Sequence, residues 1–336
     1  MTNKILVTGA GGFIGGFIVE EALNRGFDTW AGVRSSTSHE FLQDDRITFV
    51  DLDYAHPEKL RSQLTVLKEK MGGWDYIVHN LGVTKCKNKE DFYRINYQLV
   101  CNFVDALIAC DMVPRKFIYM SSLSAWGKGD EVNHTPIKLT DTPHPDTEYG
   151  KSKLMTEQYL ASLPDFPYMI LRPTGVYGPR EKDYLLMMQS IQAGFDFGVG
   201  YKKQLITFIY VKDLVRAIFA AIEAPIVRRA YFISEEQAYT SSGFRKYVAA
   251  ELGKRCVIPI VVPCWFLWII SVVAEWIGGL RGKTSTLNRD KYRIMCQRNW
   301  VCDTTPTREE LGFIPQYSLE EGVRETVAWY KANKWL

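Results

Sequence analysis

The chain has 336 residues, 46% hydrophobic and 24% charged, with a net charge of +3. This length suits a large domain with a smaller appended lobe, and the composition is that of an ordinary folded soluble protein. The charge is too small to suggest nucleic acid. Seven scattered cysteines with no CxxC pair, and five isolated histidines, argue for reduced thiols in a cytosolic setting and against a disulfide framework or zinc site.

A strand pattern begins almost at the first residue, which predicts that no signal peptide precedes the fold. Ile5–Thr8, Thr29–Val33, Ile47–Val50, Tyr76–His79, Phe117–Met120 and Met169–Leu171 read as buried strands. Between them, Phe13–Arg25, Pro57–Lys70, Lys89–Cys110 and Glu148–Leu160 have helical periodicity. The alternation implies βαβ units: an α/β, Rossmann-type doubly wound parallel sheet, with ligands at the carboxyl ends of its strands. After Gly178 the rhythm loosens. A strand–helix unit over Ile206–Ile222 is expected to return to the sheet, and the chain from about Glu235 onward reads as helical and Trp-rich. The expected division is a dinucleotide-binding domain over 1–178 and about 204–234, with a mainly helical substrate lobe over 179–203 and 235–336.

Between the first strand and first helix lies Val7-Thr8-Gly9-Ala10-Gly11-Gly12-Phe13-Ile14-Gly15. Gly9 permits a tight turn, Gly12 lets backbone N–H groups approach a pyrophosphate, and Gly15 allows close helix–strand packing. The position, more than the three glycines, makes this a cofactor loop with Phe13 and Ile14 at its edge. The second strand ends Val33-Arg34-Ser35-Ser36, without the acid that bonds the ribose 2′-hydroxyl in NAD sites. Arg34 can fork to a 2′-phosphate, with Ser35 adding a hydroxyl, so NADP(H) is preferred over NAD(H). The competing reading of Arg34 is a solvated surface arginine.

Tyr149 and Lys153 stand four apart on a predicted helix, hence on one face. An ammonium beside a phenol stabilises the phenolate, which a neutral-pH acid–base requires. Ser121, Ser122 and Ser124 follow the fifth strand, where a hydroxyl can orient a carbonyl oxygen; serines there are also plain turn and cap residues.

With these motifs in order, the whole chain, and Lys4–Arg180 most strongly, resembles an extended short-chain dehydrogenase/reductase of the NAD(P)-dependent epimerase/dehydratase superfamily. The resemblance selects Ser122, Tyr149 and Lys153 as the catalytic set. It implies hydride delivery from NADPH to a carbonyl carbon, with Tyr149 protonating the oxygen, Ser122 polarising it and Lys153 also holding the nicotinamide ribose; oxidation is the reverse. It further implies Asp53 and Tyr54 beside the adenine and Asn80-Leu81-Gly82 beneath the adenine-side ribose. Asn96 matches the family's structural asparagine, and the segment containing Pro173, Gly175 and Val176 flanks the nicotinamide. The helices Lys89–Cys110 and Glu148–Leu160 resemble those of a four-helix homodimer interface.

Nucleotide-sugar members commonly carry asparagine where this chain has Gly175, and an arginine before the segment Thr207-Phe208-Ile209-Tyr210-Val211-Lys212-Asp213, to bind a diphosphate. Both are missing here, with Lys202, Lys203 and Arg180 as the cations that could replace them. The stretch Cys264–Ile277 is apolar but for Ser271 and Glu275, and basic residues including Arg281, Lys283, Arg289, Lys291, Arg293 and Arg298 follow. Such a segment either packs on the sheet domain or a dimer mate, or rests on an anionic bilayer and makes a peripheral membrane contact through 264–298. Pro259, Pro263 and Glu275 interrupt the apolar run, so a spanning helix is not expected. These features, and the resemblance of this segment to the ketone-reductase and sterol-dehydrogenase-like branches, point to a hydrophobic ketone or alcohol: sterol-like, a long-chain keto-lipid or 3-ketosphinganine-like. The alternatives are a nucleotide-sugar epimerase, dehydratase or reductase, and a non-catalytic NADP(H)-sensing protein, which the retention of Tyr149 and Lys153 disfavours.

Overall fold

The structure is a computed structural model describing residues 2–280 and 287–336. Strands β1 (Lys4–Thr8), β2 (Asp28–Gly32), β3 (Thr48–Val50), β4 (Tyr76–His79), β5 (Lys116–Met120) and β6 (Tyr168–Pro173) alternate with helices α1 (Phe13–Asn24), α2 (Pro57–Met71), α3 (Lys89–Tyr93), α4 (Leu99–Ala109) and α5 (Glu148–Ser162). Then follow β7 (Gly175–Tyr177), α6 (Asp183–Gln192), β8 (Phe195–Val199), β9 (Leu205–Ile206), β10 (Phe208–Tyr210), α7 (Val211–Glu223), β11 (Arg229–Ile233) and β12 (Tyr239–Thr240). The chain continues through α8 (Ser241–Glu251), β13 (Ile258–Val262), α9 (Cys264–Leu280), α10 (Arg289–Cys296), β14 (Asn299–Trp300), α11 (Thr305–Leu311) and α12 (Leu319–Ala332).

The main sheet has seven strands in the order β11-β6-β5-β4-β1-β2-β3. The ladders from β6 across to β3 are all parallel. Every residue of β5 and β6 is buried, as expected of parallel strands covered on both faces. Helices supply that cover: α2 turns in Leu60 and Leu64, and α4 turns in Val100, Phe103, Val104 and Leu107. Order reverses between β1 and β4, because the chain from β1 runs outward to β2 and β3 before crossing back. At such a reversal the connections leaving the two strands run to opposite sides of the sheet, the place where open α/β sheets bind ligands.

Two compact units emerge. The first is Met1–Ala125, Glu148–Arg172 and Val215–Tyr231; the second is Trp126–Thr147, Pro173–Leu214 and Phe232–Leu336. This division runs differently from a boundary at 178, because β7 pairs with β10 as a separate two-stranded ribbon. The second unit also holds a β12-β9-β14 sheet and a parallel β8–β13 pair.

Several expectations change. The unit over Ile206–Ile222 does not itself rejoin the main sheet: β10 stops at β7, and the next strand, β11, supplies the edge beside β6. The chain after Glu235 contains three short strands as well as helices. The helix over Lys89–Cys110 is interrupted by a π-helical turn at Arg94–Gln98. The α9 helix forms as expected, but its apolar side chains are largely exposed while Ser271 is buried. Arg281 and Lys283 lie outside the described residues. No helix among those described is long and apolar enough to cross a membrane.

Candidate active site

At the carboxyl end of β1 the chain turns through Gly9 at φ +66°, a left-handed conformation that favours glycine. A Cβ on Gly9 would lie 2.9 Å from the Asn80 carbonyl oxygen, so the loops after β1 and β4 touch backbone to backbone. A Cβ on Gly15 would lie 2.2 Å from the Gly9 carbonyl oxygen, which holds α1 tight against the turn. Gly12 opens α1 with extended backbone, no side-chain cap and no acid in the first turn. Gly12 is exposed and Phe13 and Ile14 are half-buried. The result is a helix N-terminus with free N–H groups and an open approach.

The loop after β4 is held from below. Leu81 N donates to Thr8 Oγ1 (3.2 Å), which also bonds His79 Nδ1 (3.1 Å). Burial drives the His79 pKa down to about 3, and the charge of Lys153 adds to the effect, so the ring is neutral. Gly82 sits above Asn96 and Lys153: an added Cβ would meet Asn96 Oδ1 at 3.0 Å and Lys153 Nζ at 3.2 Å.

Arg34 and Ser35 are exposed in the loop after β2. Ser35 N donates to Asp51 Oδ2 (2.9 Å), tying that loop to the end of β3. Asp53 and Tyr54 lie just beyond β3. The Asp53 carboxylate pairs with His56 (2.9 Å) and Lys59 (3.0 Å), which lower its pKa to about 2. Tyr54 packs its ring edge-on to His79 and Phe103, with its hydroxyl buried.

The expected catalytic residues converge. Ser122 hydrogen-bonds the Tyr149 phenol, while Ser122 Oγ accepts from Ser124 N (3.2 Å). Desolvation pushes the Tyr149 pKa up to about 12, and the Ser122 bond opposes the shift. Lys153 is buried, donates from Nζ to the Met120 carbonyl oxygen (2.8 Å), and lies 4.9 Å from the Tyr119 ring centroid. Burial lowers its pKa to about 8, and the Glu157 carboxylate pulls the other way.

Asn96 occupies the π-helical turn and is fully buried. It accepts from Val83 N (2.8 Å) and donates to Val83 O (3.0 Å) and Ser152 Oγ (3.0 Å). Ser152 in turn donates to the Tyr149 carbonyl oxygen (2.7 Å), and Thr156 donates to the Asn96 carbonyl oxygen (2.6 Å). Through these bonds the irregular turn fixes the helix carrying Tyr149 and Lys153. One turn further along α5, Glu157 forms a buried fork with Arg172 (Nη2 to Oε2, 2.8 Å) and accepts from Ser121.

In the second unit, Pro173 ends β6, and Gly175 and Val176 form β7 beside β10. A Cβ on Gly175 would be 2.5 Å from the Tyr184 hydroxyl and 3.3 Å from the Phe208 ring. No side chain fits there without displacing Tyr184.

Residues 5–233 match the family model described as the NAD dependent epimerase/dehydratase family. The chain belongs to that family. It is an enzyme of the extended short-chain dehydrogenase/reductase class, whose members use NAD(P) and act on small molecules. It is 26% identical to UDP-glucose 4-epimerase of Vibrio cholerae, covering 99% of this chain and 97% of that protein. It is 23% identical to a decarboxylating sterol-4-alpha-carboxylate 3-dehydrogenase of Dictyostelium discoideum (96% and 99% covered). Ceramide reductase of Caulobacter vibrioides is likewise 23% identical (99% and 96% covered).

The residues present fit the epimerase/dehydratase family's dinucleotide. Gly9 and Gly15 have room only for hydrogen, which keeps the open N-terminus of α1 free for a diphosphate. Sequence reasoning singled out Gly9, Gly12, Gly15, Ser122, Tyr149, Lys153 and Asn96. It missed Thr8, His79, Asp51 and the Glu157–Arg172 pair. Thr8 carried a usable signal, a hydroxyl directly before the glycine turn. The buried pair carried none, since its partners stand 15 positions apart on a helix and a strand.

Proposed function

We propose that this enzyme is an NADP(H)-dependent oxidoreductase of a hydrophobic ketone or alcohol (sterol-like, a long-chain keto-lipid or 3-ketosphinganine-like). The hydrogen-bonded Ser122–Tyr149 pair, with buried Lys153 four residues further along α5, carries the reading. Gly9, Gly12, Phe13, Ile14, Gly15, Asn80, Leu81 and Gly82 would hold the dinucleotide, which would supply or take up the hydride. Ser122 donates to the substrate oxygen and orients it. Tyr149 gives that oxygen its proton in reduction and removes it in oxidation. The Lys153 ammonium stabilises the phenolate and holds ribose hydroxyls. Arg34 and Ser35 take the 2′-phosphate. Asp53 and Tyr54 border the adenine.

Support for an apolar substrate comes from the second unit. Tyr184 and Phe208 occupy the space next to Gly175, and no cation directly precedes the Thr207–Asp213 segment. The sterol and ceramide relatives agree with it. The 26% identity to UDP-glucose 4-epimerase favours nucleotide-sugar epimerisation as the second reading. The enzyme is cytoplasmic, contacts membranes peripherally through 264–298, and pairs as a homodimer through α3–α4 and α5, where Ile108 and Met155 are exposed.

The test is NADPH oxidation against ketones graded by chain length and polarity, run beside a nucleotide-sugar panel. Turnover that rises with apolar length supports the proposal. An epimer or 4-keto sugar product with no ketone reduction overturns it. Arg34→Ala is expected to raise the NADPH dissociation constant at least tenfold, the scale of a hydrogen bond to a charged group, and to leave NADH binding nearly unchanged. Equal weakening of both would remove Arg34 as the selectivity residue.

A further inference from the structure

Within the second unit, α9 is built inside out. Leu267 and Ser271 are buried, and Ala274 and Gly278 are half-buried on the same side. At 100° per residue, Trp265, Phe266, Trp268, Ile269, Ile270, Val273, Trp276 and Ile277 span an outward arc of roughly 200°. All eight are exposed, Trp265 by 67% and Trp276 by 66%. No charge falls within that arc. Glu275 lies at its margin and is taken up by Arg289 (Nε to Oε2, 2.9 Å).

The apolar surface extends beyond the helix. Strand β13 leads through Pro263 into α9 and pairs with β8 so that Ile258 lies beside Phe195 and Ile260 beside Phe197. Phe195, Phe197 and Ile258 are exposed. The turn after β8 closes on the same corner: Gly200 N donates to Val262 O (2.9 Å), and a Cβ on Gly200 would lie 3.1 Å from Cys264 Sγ. That turn then presents exposed Tyr201, Lys202 and Lys203, and the approach to β13 presents exposed Lys254 and Arg255. Between Phe197 and Lys203, and between Leu252 and Ala274, these four cations are the charged residues, and the flanking acids Asp196, Glu251 and Glu275 are paired with Arg245, Arg324 and Arg289.

An apolar face this wide on a soluble protein marks a docking surface. A second copy of the chain, paired about a twofold axis, would set this cationic border against itself while the flanking acids are already paired within each copy. An anionic bilayer offers the complementary charge, an interface that suits tryptophan, and a hydrocarbon phase for the isoleucines.

We infer that α9, the β8–β13 ribbon and the 200–203 turn form a single docking surface for an anionic phospholipid bilayer. The inference widens the contact assigned to 264–298 to include the ribbon and turn, and it does not depend on the substrate. A hydrophobic substrate dissolved in the same membrane would be concentrated near the enzyme.

The experiment is flotation of the full chain with phosphatidylcholine vesicles, with and without phosphatidylglycerol, in the absence of substrate and cofactor. Binding is expected only with phosphatidylglycerol, with a blue shift of tryptophan emission and weakening as salt rises. Lys254→Ala with Arg255→Ala should weaken binding roughly 20- to 30-fold, at about fivefold per cation. Trp265→Ser with Trp268→Ser should abolish flotation and leave the thermal midpoint and the reduction of a water-soluble ketone unchanged. Two results would overturn the inference: no flotation with anionic vesicles, or a dimer in solution that the tryptophan variant converts to monomer. Failure of the ketone assay with flotation intact would instead reject the proposed function alone.

Discussion

At the residue scale, the acid–base pair is held in tension by burial. Desolvation raises the Tyr149 pKa to about 12 and lowers that of Lys153 to about 8. Only the charged form of Lys153 can stabilise a phenolate, so kcat/KM for ketone reduction should fall as pH rises through about 8. Lys153→Arg, charged throughout that range, should move the fall upward. The same shift has a stability consequence. A lysine whose pKa drops from 10.5 to about 8 on folding leaves the unfolded chain holding more protons between those values. Stability therefore rises with pH across that window, and the cost of the buried charge is full below pH 8. Lys153→Met should accordingly stabilise the protein at pH 7 by about 1–3 kcal/mol in urea unfolding while destroying turnover. That gain should shrink as pH approaches 10.5. Tyr149→Phe should cost about 10²- to 10⁴-fold in kcat/KM, with the melting curve unchanged. Unchanged turnover would remove Tyr149 from the acid–base role.

At the scale of the element, the π-helical turn at Arg94–Gln98 stands out among regular neighbours. A regular helix satisfies its own backbone. This one carries Asn96 buried in the turn, bonded to both polar backbone atoms of Val83 and to the Ser152 hydroxyl. Asn96→Ala would leave the Val83 amide and carbonyl without those partners, and should cost about 2–4 kcal/mol in a denaturant titration. Because Ser152 also bonds the Tyr149 carbonyl oxygen, the variant should lower kcat more than it raises KM. Helical periodicity was legible over Lys89–Cys110, but the extra residue in the turn was not. It leaves the pattern of apolar residues nearly intact, and only the hydrogen bonds across to the loop after β4 reveal it.

At the scale of the whole molecule, the proposed homodimer makes its own prediction. The 38.6 kDa chain should elute at twice its mass, and Met155→Arg on α5 should return it to a monomer with its helix content retained. A dimer unaffected by that substitution would place the interface elsewhere.

The sequence alone determined the alternation of strands and helices, the glycine turn after β1, and the spacing of Tyr149 from Lys153. Each rests on a local rule: a period of 2 or 3.6, a positive φ, or a helix face. Tertiary structure decided what those rules cannot reach. It put β11 rather than β10 at the sheet edge, because strand pairing joins segments far apart in the chain. It turned Asp53 toward His56 and Lys59 while tying Asp51 to the loop that carries Arg34 and Ser35. It also set Ser271 of α9 inward and the tryptophans of that helix outward. Periodicity gives a helix an apolar and a polar side, but only its neighbours fix which side faces water.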